Sequence, residues 1–120
     1  MAYSLATLVA DVGTIYVTET DTEDTSKLVK AGSGTLYKVE IVNPNGAAVY
    51  AKFYDSTSSI TSGTTHPDWV FMCPASATRS YACPGGTAFG TGLKFECVTT
   101  PGTGGSTAPT SAVVVRVLAS

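Results

Sequence analysis

The chain has 120 residues, a formal net charge of −2 and 13% charged residues, about half the charged share of an average soluble domain. Its length suits one domain, residues 1–120, built around a single hydrophobic core. With no cluster of Lys or Arg and no segment near the roughly 18 apolar residues of a membrane span, the composition argues against a nucleic-acid or membrane partner.

The N-terminal "MAYSLATLVADVG" lacks the positively charged start of a secretory signal, so synthesis in a cytoplasm is expected. Leu5–Val9 suggests that residues 1–10 form an arm or edge strand. "VGTIYVTET" predicts a strand from Gly13 to Thr20. The acidic "TETDTEDTSK" reads as a solvated loop, because its alternating carboxylates lack the pattern and distal Glu of a known calcium loop. "KLVKAGSG" adds a brief extended piece and a glycine turn.

Ser33–Asp55, "SGTLYKVEIVNPNGAAVYAKFYD", has a strand's period of two, with Tyr37, Val39 and Ile41 on one face and Leu36, Lys38, Glu40 and Val42 on the other. Asn43-Pro44-Asn45-Gly46 has the residue order of a tight turn, with Gly46 in the left-handed region. The stretch therefore predicts a hairpin pairing Ile41 with Val49, Val39 with Ala51 and Tyr37 with Phe53. Tyr50 and Tyr54 fall on the hairpin's second face beside Leu36 and Val42, so both faces carry apolar weight. Either a loop or the terminal arm covers that second face, or another subunit docks there. Leu36, Val42, Tyr50, Tyr54 and Trp69 are the candidate interface residues.

"STSSITSGTTHPD" is a polar connection without periodicity. Asp68–Ala75 predicts a strand ended by Pro74, and "TRSYAC" another ended by Pro84-Gly85-Gly86. "TAFGTGLKFECVTT" sets Phe89, Leu93, Phe95 and Cys97 on one parity and Lys94, Glu96 and Val98 on the other. After the glycine-rich "TPGTGGSTAPTS", "AVVVRVLA" is an apolar run suited to a buried strand. Seven or eight short antiparallel strands with Gly/Pro punctuation and no convincing helix define an all-β, jelly-roll-like sandwich.

Catalytic and cofactor motifs fail on their spacing. "GGTAFGTGLK" misses the G-K-[ST] of a phosphate loop and the last glycine of a dinucleotide fingerprint, so Gly90 and Gly92 read as a bulge or close backbone approach. His66, the single histidine, has no nucleophile-elbow sequence to partner it. Cys73, Cys83 and Cys97 lack a C-x-x-C pair and read as reduced core thiols, with a Cys73–Cys83 bridge as the alternative. Neither an enzyme activity nor a metal or cofactor is expected.

The order "GTLYKVEIVNPNG", "AVYAKFYD", "GTTHPDWVFMCPA", "GGTAFGTGLKFECVTT" and "SAVVVRVLA", spanning residues 34–119, resembles that of small β-sandwich structural proteins of tailed bacteriophages. The resemblance implies a capsid cement, or decoration, protein on the outer surface of the virion head. It implies the major capsid protein as partner and a homo-oligomer, most simply a trimer. The alternative is a receptor- or carbohydrate-binding module of a tail fibre or baseplate, with Tyr50, Tyr54 and Trp69 as stacking surfaces.

Overall fold

The computed structural model describes residues 15–120, so the expected arm at residues 1–10 lies outside the described residues. Eight strands follow in chain order: β1 (Ile15–Thr22), β2 (Lys27–Ala31), β3 (Gly34–Asn43), β4 (Val49–Tyr54), β5 (Trp69–Cys73), β6 (Ala77–Phe89), β7 (Gly92–Val98) and β8 (Val113–Ala119). They form two four-stranded sheets, sheet I in the order β1-β8-β3-β6 and sheet II in the order β2-β7-β4-β5. Every pairing is antiparallel. This β-sandwich, whose chain passes repeatedly from one sheet to the other, has the strand order of a jelly roll.

Alternation along each strand builds the core. β8 turns Val113, Val115, Val117 and Ala119 inward and leaves Val114, Arg116 and Leu118 half-buried. Facing it from sheet II are Val49, Ala51 and Phe53 of β4 and Leu93, Phe95 and Cys97 of β7. Phe53 stacks on Phe95 at a centroid distance of 5.3 Å and meets the edge of Phe71 at 5.4 Å, geometries that add to the area aromatic rings bury.

The predicted hairpin does not form. β3 lies between β8 and β6, whereas β4 lies between β7 and β5 in the other sheet. Val39 and Ile41 do face the same core as Val49, Ala51 and Phe53, but from across the sandwich. Matching apolar parity on consecutive strands fits both arrangements, because a shared core requires it in each.

The asparagines of the connection decide between them. Asn43 Nδ2 donates to the carbonyls of Ala47 (2.9 Å) and Pro74 (2.9 Å), while its Oδ1 accepts from the backbone N–H and the side-chain amide of Asn45. Asn45 in turn exchanges bonds with the Ser111 backbone. These two residues knot the β3–β4, β5–β6 and β7–β8 connections together at one end of the sandwich. Gly46 does not take a positive φ, which corrects the turn assignment.

Two further departures share one cause. The β3 register shifts between Leu36 and Lys38, so Leu36 joins Val39 and Ile41 in the core and Tyr37 sits at the irregularity. Opposite it, β6 continues through Pro84-Gly85-Gly86 instead of ending there. Gly85 and Gly86 have φ of 76° and 81°, and a Cβ on Gly86 would stand 2.1 Å from Thr35 Cγ2. The glycines permit a bulge and a close backbone approach where a side chain would collide.

Candidate interaction surface

A sandwich offers a partner its two outer faces, and here they differ. On sheet II, Tyr50, Lys52 and Tyr54 of β4 stand beside Val98, Glu96 and Lys94 of β7 as direct cross-strand partners. The chain covers this face itself with the β4–β5 connection, residues 55–68, and the β7–β8 connection, residues 99–112. Lys52 and Tyr54 are 1% exposed and Glu96 is 0% exposed.

The buried polar groups are satisfied from these loops and from each other. Lys52 Nζ donates to the carbonyls of Gly102 (2.6 Å) and Gly105 (2.9 Å). Glu96 accepts from Ser62 Oγ (2.7 Å) and from the Tyr54 hydroxyl. The loops also meet each other through His66 Nδ1 and Thr103 Oγ1 at 2.8 Å. Desolvation lowers the Lys52 pKa, with the Glu96 carboxylate opposing it. Desolvation, followed by the bond to Glu96, pushes the Tyr54 phenol well above its ordinary value.

The glycine-rich "GGTAFGTGLK" does cradle an anion, and the anion belongs to the chain. Asp55 accepts from the backbone N–H groups of Gly90 (2.9 Å), Thr91 (2.8 Å) and Gly92 (3.3 Å). The bonds from Gly90 and Thr91 are the main cause of its lowered pKa. A Cβ on Gly92 would stand 2.9 Å from the Lys30 carbonyl oxygen, so glycine is needed there for close approach. This clasp fastens the start of the covering loop to the β6–β7 turn.

The structure does not gather the five candidate interface residues. Leu36 is 0% exposed and part of the core, and Tyr54 is sealed under the loops, so neither is presented to a partner. Both assignments fail for stated reasons: the shifted register turns Leu36 inward, and the chain's own loops cover Tyr54. Trp69 packs against the core from β5. Tyr50 is half-buried beside Met72, which is 43% exposed near the free β5 edge. The Tyr81 hydroxyl caps that edge by donating to the Met72 carbonyl. Of the five, Val42 alone lies on the outer face of sheet I.

Among the described residues nothing covers that outer face. Its residues run in rows across the strands: Tyr16, Leu118, Lys38 and Ala82 in one, and Thr18, Arg116, Glu40 and Ser80 in the next. Val114, Val42 and Thr78 continue the pattern. Arg116 pairs with Glu40 at 2.6 Å. The parity of "AVVVRVLA" already sets Val114, Arg116 and Leu118 together, but an apolar run conceals which parity faces out.

Cys73, Cys83 and Cys97 are free, and burial pushes the Cys97 thiol up to about 12. Among the described residues no group of three or more His, Cys, Asp or Glu side chains is placed to hold a metal ion.

No protein-family model and no curated protein matches this chain. Among solved structures it is similar to the Tobacco streak virus coat protein at 9% sequence identity and a TM-score of 0.34, over 87% of this chain and 85% of that one.

Proposed function

We propose that the protein is a structural component of a virion, and specifically a cement protein that stabilises a phage head by bridging major-capsid subunits on its outer surface. The interleaved eight-strand order carries this reading, because jelly rolls recur as capsid building blocks and as lectin-type binding domains. A fold alone does not choose between these uses. The ordered motifs of residues 34–119, which resemble phage β-sandwich structural proteins, favour the capsid. The sugar-stacking alternative loses support because Tyr54 is buried and Trp69 packs against the core.

The subunit is a homo-oligomer held mainly by surface burial, since only 13% of the chain's residues are charged and exposed ion pairs contribute little. Quantitative mass spectrometry of purified particles tests the reading. Hundreds of copies per particle are expected, together with co-sedimentation of the purified chain with capsids that lack it. Tens of copies located on the tail would overturn it in favour of a fibre or baseplate module.

A further inference from the structure

The outer face of sheet I matches itself. Its central row holds Glu40 on β3 directly beside Arg116 on β8, the two middle strands of the sheet. At one end of the neighbouring row, Tyr16 projects from β1 and is 64% exposed. At the other end, next to Ala82 of β6, lies a groove of about 400 Å³ lined chiefly by Tyr37, Ala82, Cys83, Pro84, Gly85 and Leu118.

We infer that this face docks a second copy of the chain, face to face, about a two-fold axis parallel to the strands and midway between β8 and β3. Such a rotation keeps each row in place while exchanging β8 with β3 and β1 with β6. Adjacent strands are about 4.8 Å apart, so β1 and β6 stand about 7 Å on either side of the axis. Arg116 then lies over the partner's Glu40, and Glu40 over the partner's Arg116. The four charges alternate in sign, with no like pair in contact. Tyr16 enters the partner's groove beside the partner's Ala82, and Leu118 covers the aliphatic stem of the partner's Lys38. Val114 meets the partner's Val42, joining the two apolar positions of the third row.

This is the isologous contact of a two-fold dimer, in which one patch complements itself. The outer face of sheet II cannot serve in this way because its loops already cover it. The matched surface is about 20 Å by 20 Å from strand spacing and rise, below the standard size of specific interfaces and in the range of weak, transient contacts. The dimer is therefore reversible and dependent on concentration. The inference does not rest on the virion reading, which particle composition tests separately.

Sedimentation velocity of the full chain, across the micromolar range, should show a monomer–dimer equilibrium. Glu40→Arg and Arg116→Glu should each weaken dimerisation at least about tenfold, since each sets like charges against each other across the axis. An equimolar mixture of these two variants should form heterodimers about as tightly as the native chain, because each copy then offers charges opposite to its partner's. Ala82→Arg, at an exposed position, should block the Tyr16 seat with a similar loss. It also decides the matter alone if the charge variants do not fold. A chain monomeric at every concentration, a trimer without a dimer step, or a mixture without heterodimers would overturn the inference.

Discussion

Each sheet places one opposite-charge pair at the centre of its outer face, Lys52 beside Glu96 on sheet II and Arg116 beside Glu40 on sheet I. The first is sealed at 1% and 0% exposure, while the second retains 38% and 27%. Sealing changes what the charges do. Arg116 bonds directly to Glu40, whereas Lys52 bonds to the loop above it and Glu96 to Ser62 of the other loop and to Tyr54. On sheet II the charges fasten a third layer of irregular chain to a β-sandwich. On sheet I they remain available to another molecule.

The largest expected effect falls on the sealed face. Lys52→Met leaves Glu96 buried without its cation and leaves the Gly102 and Gly105 carbonyls without their donor. Leaving a buried polar or charged group without its partner costs about 1–3 kcal/mol per group, which urea unfolding would read directly. Replacing Lys52 and Glu96 together with Met should recover part of that loss. A cost below about 1 kcal/mol for Lys52→Met would mean that water reaches the site, because that is the range of exposed pairs.

Glycine substitutions sharpen the contrast between backbone that is closely packed and backbone that is open. Gly86→Ala adds a Cβ 2.1 Å from Thr35 Cγ2 at a φ of 81°, and Gly92→Ala adds one 2.6 Å from Thr57 Cγ2. Each should cost about 1–3 kcal/mol through overpacking. At Gly86 the left-handed backbone adds about 1–2 kcal/mol. Gly46→Ala meets nothing within 4 Å and should change stability by less than about 0.5 kcal/mol. Thermal melts of the three variants check the ordering, and a large loss at Gly46 would restore the tight-turn assignment.

The Asp55 clasp ties the covering loop down by charge and gives it a pH dependence. Backbone donors hold its carboxyl below the ordinary value, so the folded form binds its proton less readily than the unfolded form does. Its contribution is fully present above the unfolded value of about 3.9 and fades as pH falls through the lower folded value. Hydrogen exchange at the Gly90, Thr91 and Gly92 amides, corrected for its intrinsic pH dependence, should therefore lose protection in acid. In Asp55→Asn these amides should already be less protected at neutral pH, with a smaller acid response. Equal protection in the two proteins would show that the turn does not depend on the clasp.

Strand existence and most inward positions were legible because alternation in segments such as "KVEIV" reports burial directly. Sheet membership was not, since Val39 and Ile41 would alternate identically whether paired with β4 or facing it across the core. The loop that seals Tyr54, with Lys52 beside it, was one of the alternatives for that face, and the choice between them was not legible for a related reason. Both residues sit on an outer face, but a polar, aperiodic loop carries no local signal that it will fold back over them. Asn43 and Asn45 show the same ambiguity, because the side chains that favour turns also serve as long-range knots.

The smallest effect is expected where the face is open. Arg116→Met removes the ion pair with Glu40 and leaves both positions within reach of water, so in dilute protein it should cost less than about 1 kcal/mol. The methionine preserves much of the apolar stem that lies beside Leu118 and Val114, which keeps packing losses from being mistaken for electrostatic ones. Added salt should narrow even that difference, because exposed pairs are screened. Urea unfolding at low and high ionic strength, run at protein concentrations too low for self-association, isolates the folding contribution. A salt-independent loss of several kcal/mol would mean that the Arg116–Glu40 pair supports the fold as Lys52 does, and the distinction between a sealed face and an open one would fail.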